Sequence, residues 1–151
     1  MIIKSLDHLK IISNKIADRI SINDCIFLIG EIGVGKTTFT RNIINYLQRR
    51  EGINLTEVLS PTFNLLFEYE IKNLKVMHYD LYRIKSSKEL DQLGLFEENI
   101  KSIKIIEWPQ LIKTNTKDRI EIRLSYSKLE NERELSLVGY GKWKDININE
   151  L

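Results

Sequence analysis

Cysteine, proline and histidine are scarce in this sequence. Its 151 residues include one cysteine, Cys25, together with two prolines and two histidines. One cysteine excludes an internal disulfide, and Cys25 stands just before an apolar run, where we expect a small buried thiol rather than a reactive one. Two histidines do not suffice for a cluster of metal ligands, and two prolines leave little room for a disordered linker.

Long apolar runs and a strong charge of one sign are also missing. No run approaches the roughly 20 apolar residues of a membrane-spanning helix, and charges interrupt the first 20 residues, unlike a signal peptide. We therefore expect a cytoplasmic protein that contacts no membrane. The net charge of +2 is far from the basic balance typical of free nucleic-acid binders. Arg41, Arg49 and Arg50 are interpreted as solvated side chains of a helix.

The length and the hydrophobic share of 42% fit one compact domain over residues 1–151. Near the N-terminus, apolar residues recur at three- and four-residue steps, which predicts an amphipathic helix capped by Ser5. The continuous apolar run Cys25–Ile29 predicts a strand buried on both faces. A second helix is predicted over Lys36–Arg50, ending near Gly52.

Extended segments follow in the second half of the chain. Residues 63–71 and 74–79, joined through Lys72 and Asn73, predict a β-hairpin. Three later runs of alternating or branched apolar residues predict strands over 102–106, Arg119–Tyr126 and 132–140, the last two paired with each other.

Short helical pieces and a polar tail complete the sequence. Ser86 and Glu89 have the spacing of a capping box, which predicts a short helix that Gly94 can terminate. A second short turn is predicted over 96–100. The tail from Gly141 onward is polar, and we expect it to fray.

Residues 30–37 read GEIGVGKT and match the P-loop pattern G-x-x-x-x-G-K-[ST]. The pattern lies between a predicted buried strand and a predicted helix, which is the context that the motif requires. Glycines allow the backbone to turn so that successive N–H groups bind phosphate oxygens at the helix N-terminus. Lys36 then reaches the outer phosphates, and the Thr37 hydroxyl can ligate Mg²⁺. The predicted nucleotide-binding residues of the loop are Gly30, Gly33, Val34, Gly35, Lys36, Thr37 and Thr38.

A P-loop enzyme also needs an acidic group near the metal, usually at the end of a neighbouring strand. Two residues qualify, because Asp80 and Glu107 each end an apolar segment. Neither segment has the commonest Walker B form, so the residues alone leave the assignment open between them. His78 precedes Asp80 by two positions and would share its face of a strand. It is either a supporting residue of the site or a packed one.

Four motifs occur together: GEIGVGKTT from Gly30, SPTF over 60–63, HYDLYR over 78–83 and EWP over 107–109. In this order they resemble the TsaE (YjeE) family, the ATPase of the bacterial tRNA threonylcarbamoyladenosine system, and the resemblance covers nearly the whole chain. It implies a three-layer P-loop α/β fold with a mixed, mostly parallel central sheet. It also implies hydrolysis of Mg-ATP in support of TsaD, the transferase, and its companion TsaB. That complex forms N6-threonylcarbamoyladenosine beside the anticodon, so tRNA would be met indirectly.

The resemblance also implies a role for each residue of the site. Thr37 and Glu107 would ligate Mg²⁺, and Asp80, the Walker B-like acid that hydrolysis needs, would be the third residue of the metal site. Residues 60–63 would form a mobile switch-like loop near the γ-phosphate, with Thr62 as its polar contributor. Trp108 would flank the nucleotide, although an aromatic residue after a strand is by itself more often packing. The catalytic residues implied are thus Lys36, Thr62, Asp80 and Glu107. Val34 stands where the family often has alanine.

Two other functions stay open on the residues alone. A small-metabolite P-loop kinase would share the phosphate chemistry, but it needs a lid with arginines, and residues 86–100 contain none. A nucleotide-binding interaction module would bind ATP with little turnover of its own.

Overall fold

The protein is described by a computed structural model that covers residues 1–96, 101–113 and 116–150. Most of the predicted turn at 96–100 therefore lies outside the described residues. The strands are β1 (Ile2–Ile3), β2 (Cys25–Ile29), β3 (Leu66–Ile71), β4 (Leu74–Asp80), β5 (Ile103–Glu107), β6 (Arg119–Tyr126) and β7 (Arg133–Tyr140). The α-helices are α1 (Leu6–Arg19), α2 (Lys36–Arg50) and α3 (Ser87–Asp91), with 3₁₀ turns at Pro109–Leu111, Gly141–Trp143 and Ile148–Glu150. None of the helices in these ranges has the length and apolar character to cross a membrane.

In the described part of the chain the strands form one mixed sheet, ordered β1-β7-β6-β2-β5-β4-β3. β2 pairs in parallel with β5 on one side and β6 on the other, and β5 pairs in parallel with β4. The pairs β3–β4, β6–β7 and β1–β7 are antiparallel. The four central strands consequently end at the same edge of the sheet, where ligands of open α/β sheets bind.

Helices and loops cover both faces of the central strands. On β2, Ile26 and Leu28 pack in the core that contains α1 and α2. Phe27 faces the other side, where the segment that follows β4 contributes Leu81 and Leu90. Successive side chains of β2 are thus buried on opposite faces of the sheet, as the continuous apolar run predicted. The three layers confirm the expected α/β class with a sheet that is parallel at its centre.

Two helix starts confirm the predicted caps. The Ser5 side chain accepts a hydrogen bond from the His8 N–H at the start of α1, and Ser86 accepts one from the Glu89 N–H at the start of α3. Each serine thereby satisfies an N–H group that the helix itself leaves without a partner. α3 ends at Asp91, two residues before the predicted end at Leu93.

The predicted extended segment at 63–71 is wrong over its first residues. β3 begins only at Leu66, because the chain turns just before it. Leu65 has a φ of 66°, and its N–H donates to the Pro61 carbonyl oxygen at 2.6 Å. The apolar residues Phe63 and Leu65 looked like strand residues, but the first lies in this turn and is exposed.

The prediction that the chain frays from Gly141 onward is also wrong. Trp143 is only 2% exposed and packs in the main core. The chain folds back so closely that a Cβ on Gly139 would lie 1.8 Å from the Trp143 carbonyl oxygen. The Lys142 ammonium group binds Ser21 and Asp24, which lie between α1 and β2. One aromatic residue in a polar segment produces no periodicity, yet burial of its large ring contributes to ordering the turn.

We expect Trp143→Ala to lower the free energy of unfolding by about 3–5 kcal/mol, since it leaves a cavity in the core. The measurement is urea denaturation followed by circular dichroism. Lys144→Ala, at the exposed neighbouring position, is the control and should change stability by less than about 0.5 kcal/mol. Equal stability of the two variants would contradict the packing of this turn.

Candidate nucleotide-binding site

The loop between β2 and α2 depends on glycine at two positions for different reasons. Gly30 has a φ of 154°, and a Cβ there would lie 2.3 Å from the main-chain oxygen of Leu124. Gly35 has room around it, but its φ of 117° belongs to the left-handed region that side chains disfavour. Glycine is therefore needed at the start of the loop because the chain passes close to β6, and at its end because the backbone adopts a left-handed conformation.

The N-terminus of α2 differs from those of α1 and α3. Gly35 precedes the helix, and no side chain among the described residues caps it by hydrogen bonding. The first N–H groups of a helix carry a partial positive charge and no intrahelical partner. In this position they suit an anion, and the Lys36 side chain adds a full positive charge beside them.

Lys36 is buried inside the loop, with 5% of its surface exposed. Its Nζ donates to the carbonyl oxygens of Gly30 and Glu31, both at 2.8 Å, and lies 4.2 Å from the centre of the Trp108 ring. Burial lowers the pKa of Lys36 below the ordinary lysine value, while the carboxylates of Glu107 and Asp80 act in the opposite direction. The ammonium group thus lies between the loop and the acidic residues.

Thr37 and Glu107, which are 70 positions apart in sequence, are in direct contact. The Thr37 hydroxyl donates to Oε1 of Glu107 at 2.9 Å. Glu107 is the last residue of β5, and the sheet register places it beside Asp80, the last residue of β4. Both carboxylates are almost fully buried. The parallel sheet therefore brings the two acidic residues of the sequence analysis to one place.

The loop at 60–63 contacts Asp80 directly. Oδ2 of Asp80 accepts hydrogen bonds from the Thr62 hydroxyl at 2.7 Å and the Ser60 hydroxyl at 3.2 Å. Its other oxygen accepts the N–H of Tyr82 at 2.9 Å. Asp80 is thus held in position by three donors, two of which belong to the loop that was expected to act as a switch.

The donor set suits Mg²⁺. The Thr37 hydroxyl and the Glu107 carboxylate are hard oxygen ligands in contact, and Asp80 lies on the adjacent strand. Within the described residues no group of three or more His, Cys, Asp or Glu side chains could hold a metal ion by itself. Mg²⁺ commonly uses one or two protein ligands together with phosphate oxygens and water, so this sparse set fits a nucleotide-bound ion.

An open cleft of about 270 Å³ joins these groups. Its lining residues are Ile32, Gly33, Gly35, Lys36, Thr37, Thr38, Ser60, Thr62, Asp80, Tyr82, Glu107 and Trp108. Of the residues expected in the site, Gly30 and Val34 do not line it. Gly30 lies against the main chain of β6, and the Val34 side chain is buried in the core.

The sequence analysis did not single out Tyr82 and Tyr126. The Tyr82 ring lies 4.9 Å from the Trp108 ring at an angle of 53°, so the two aromatic residues form one wall of the cleft. Tyr82 stands two positions after Asp80, within a motif already noted, and that spacing could have identified it. The Tyr126 hydroxyl donates to the Ile32 carbonyl oxygen at 2.8 Å across 94 positions, a contact for which the sequence carries no local signal.

Arg41 was interpreted as a solvated side chain, and the structure gives it a contact. Its Nε and Nη2 both donate to the carbonyl oxygen of Val58, at 3.1 and 3.0 Å. Val58 lies two positions before Ser60. The helix that begins at the P-loop is therefore tied directly to the loop that contacts Asp80.

Cys25 takes no part in the site. Its thiol is 1% exposed, and burial raises its pKa to about 12. A thiol with this pKa is protonated at neutral pH and is a poor nucleophile. The prediction of a small buried thiol is confirmed.

The model of a protein family matches residues 3–135 and is described as "Threonylcarbamoyl adenosine biosynthesis protein TsaE". The chain belongs to the TsaE family. A Rickettsia conorii "tRNA threonylcarbamoyladenosine biosynthesis protein TsaE" is 39% identical over 134 residues, which are 88% of this chain and 73% of the relative. The Bacillus subtilis (strain 168) protein of the same name is 31% identical over 85% of this chain and 77% of its own length.

A solved structure shares the fold of this TsaE-family chain. The crystal structure of Bacillus subtilis YdiB superposes with a TM-score of 0.71 and covers 96% of this chain and 87% of its own, at 24% identity. The family model and the relatives confirm the family resemblance noted from the four motifs, and the solved structure confirms the architecture that it implied.

We expect Gly30→Ala to destabilise the TsaE-family fold more than Gly52→Ala. Both glycines have positive φ, but a Cβ on Gly52 meets nothing within 4 Å, whereas one on Gly30 collides with β6. Gly52→Ala should lower the free energy of unfolding by about 1–2 kcal/mol because of backbone conformation alone. Gly30→Ala should lower it by a similar amount and by roughly a further 1–3 kcal/mol because of the steric overlap. Chemical denaturation of both variants measures the difference. Equal costs would show that the loop does not approach β6 as described.

Proposed function

We propose that this chain hydrolyses Mg-ATP in the cleft at the carboxyl edge of its sheet. The observation that carries the proposal is the contact between Thr37 and Glu107, because it joins the end of the P-loop to the end of a strand across 70 positions. The same cleft contains Lys36 and Asp80. Phosphoryl transfer to water requires an anion-binding loop, a hydroxyl and a carboxylate that hold the metal, and a second carboxylate.

Each residue would have a separate part in this reaction. The N–H groups at the start of α2 and the Lys36 ammonium group would bind the phosphates and neutralise the charge that develops on them. Thr37 and Glu107 would hold Mg²⁺, which would supply positive charge to stabilise the negative charge of the reacting phosphate. Asp80 would orient the attacking water. Thr62 donates to Asp80 and would keep that carboxylate directed at the cleft.

The other end of the nucleotide would lie in a second groove that continues beyond the P-loop. This groove also measures about 270 Å³ and shares Gly33, Gly35 and Thr38 with the first cleft. Leu6 and Leu9 at the start of α1 give it an apolar side. An apolar wall beside a phosphate site suits a nucleoside base.

Hydrolysis would support the complex of TsaD and TsaB that forms N6-threonylcarbamoyladenosine beside the anticodon, and tRNA would be met through that complex. Membership of the TsaE family supports this pathway. The loop at 60–63 would couple hydrolysis to the partners. Phe63 on this loop is 84% exposed, while Thr62 beside it donates a hydrogen bond to Asp80. A protein that covers Phe63 would therefore act on Asp80 through the neighbouring Thr62.

We expect slow phosphate release from ATP by the chain alone and faster release when TsaB and TsaD are added. Release is measured by coupled absorbance with Mg²⁺ present, and with EDTA as the control. Transfer of phosphate to a metabolite without partners would instead indicate a kinase. ATP binding without any release under either condition would indicate an interaction module, and no binding would contradict the proposal.

We expect Asp80→Ala to reduce turnover by about 100-fold or more while ATP affinity changes only a few-fold, because a water-orienting carboxylate acts in the transition state. Turnover is measured by phosphate release and affinity by titration calorimetry. Asp91→Ala, which removes an exposed carboxylate from α3, is the matched control and should leave both unchanged. Equal losses of turnover and affinity in Asp80→Ala would assign Asp80 to metal binding or structure instead.

A further inference from the structure

His78 is a fully buried residue of β4 that contacts the proposed metal ligand. It is 0% exposed, and its Nε2 lies 2.9 Å from Oε1 of Glu107 on the adjacent strand. The same oxygen accepts the hydroxyl of Thr37, also at 2.9 Å. One oxygen of Glu107 therefore has two donors, and each comes from a different element of the fold.

The direction of the hydrogen bond follows from the chemistry of the pair. A carboxylate only accepts, so Nε2 of His78 must carry the hydrogen. The register fixes the distance, because His78 pairs with Ile105, two positions before Glu107. The imidazole ring thus reaches along the sheet towards the carboxyl edge, where Glu107 ends its strand.

Stability alone does not account for a histidine at this position. Its Nδ1 is buried and has no hydrogen-bond partner in the described part of the chain. A buried polar atom without a partner costs free energy that an apolar side chain of similar size would avoid. The contact with Glu107 is the compensating interaction, and it gives a donor to a buried carboxylate of the site.

We propose that His78 is a positioning residue that orients the Glu107 carboxylate for the magnesium ion of Mg-ATP. This inference rests on the proposed function. If the Thr37 hydroxyl turned to the metal, Oε1 of Glu107 would lose one of its two donors. His78 would remain as the donor that keeps the carboxylate from rotating towards the Lys36 ammonium group, whose charge attracts it. Hydrogen-bond partners of metal-binding groups commonly act in this way.

The test compares His78→Leu and His78→Gln by titration calorimetry with ATP, once with excess Mg²⁺ and once with EDTA. In the wild-type chain Mg²⁺ should raise the affinity for ATP, and in His78→Leu this increase should be smaller by roughly 10–100-fold, the range measured for hydrogen-bond partners of metal ligands. The affinity for ATP in EDTA should be unchanged. His78→Gln should retain most of the gain, because its side-chain nitrogen reaches to about the position of Nε2. Met77→Leu is the control, since Met77 is buried on the opposite face of β4.

Three results overturn the inference. One is an unchanged gain from Mg²⁺ in His78→Leu, and another is an equal loss of ATP affinity with and without Mg²⁺. If His78→Leu does not fold, His78→Asn replaces it, because the shorter asparagine side chain cannot reach Glu107. The third result that would overturn the inference is then an equal gain of ATP affinity from Mg²⁺ in His78→Asn and His78→Gln. A wild-type chain that binds no Mg-ATP would refute the proposed function itself, and is thereby distinguished from failure of the role of His78.

Discussion

The parallel pairing of β2, β4 and β5 is the constraint on which the site depends. Because these strands run in one direction, the P-loop that follows β2 and the acidic residues that end β4 and β5 meet at one edge. The register places Asp80 directly beside Glu107, and the short loop after β2 brings Thr37 within hydrogen-bond distance of the latter. A shift of one residue in either pairing would turn a carboxylate to the other face of the sheet.

The charged side chains buried at this edge of the sheet all have hydrogen-bond partners. Lys36, Asp80 and Glu107 all lie below 6% exposure, and burial of charged groups is costly unless they have partners. Each has them: Lys36 donates to loop carbonyl oxygens, Asp80 accepts three donors and Glu107 accepts two. Several of these partners are also the groups that a magnesium nucleotide would contact. Binding would therefore exchange one set of contacts for another within a site whose shape already exists.

Direct contacts connect the helix that follows the P-loop to an exposed residue on the surface. Arg41 ties α2 to Val58, and two residues later the loop at 60–63 places Ser60 and Thr62 on Asp80 while Phe63 faces solvent. α2 is thus connected by direct contacts to the loop that carries an exposed aromatic residue. This arrangement gives a physical basis for the proposed ATPase activity to respond to a partner that covers the loop.

The sequence by itself determined the local features: the strand–loop–helix order around GEIGVGKT, the caps at Ser5 and Ser86, the buried strand at Cys25–Ile29 and the hairpin through Lys72 and Asn73. These follow from periodicity and residue chemistry within a few positions of the chain. Only the tertiary structure decided that Glu107 contacts Thr37 and His78, that Tyr126 binds the P-loop, and that Trp143 orders the tail. Strand order and register create such contacts between distant residues, and no periodicity within a segment specifies which strand lies beside it.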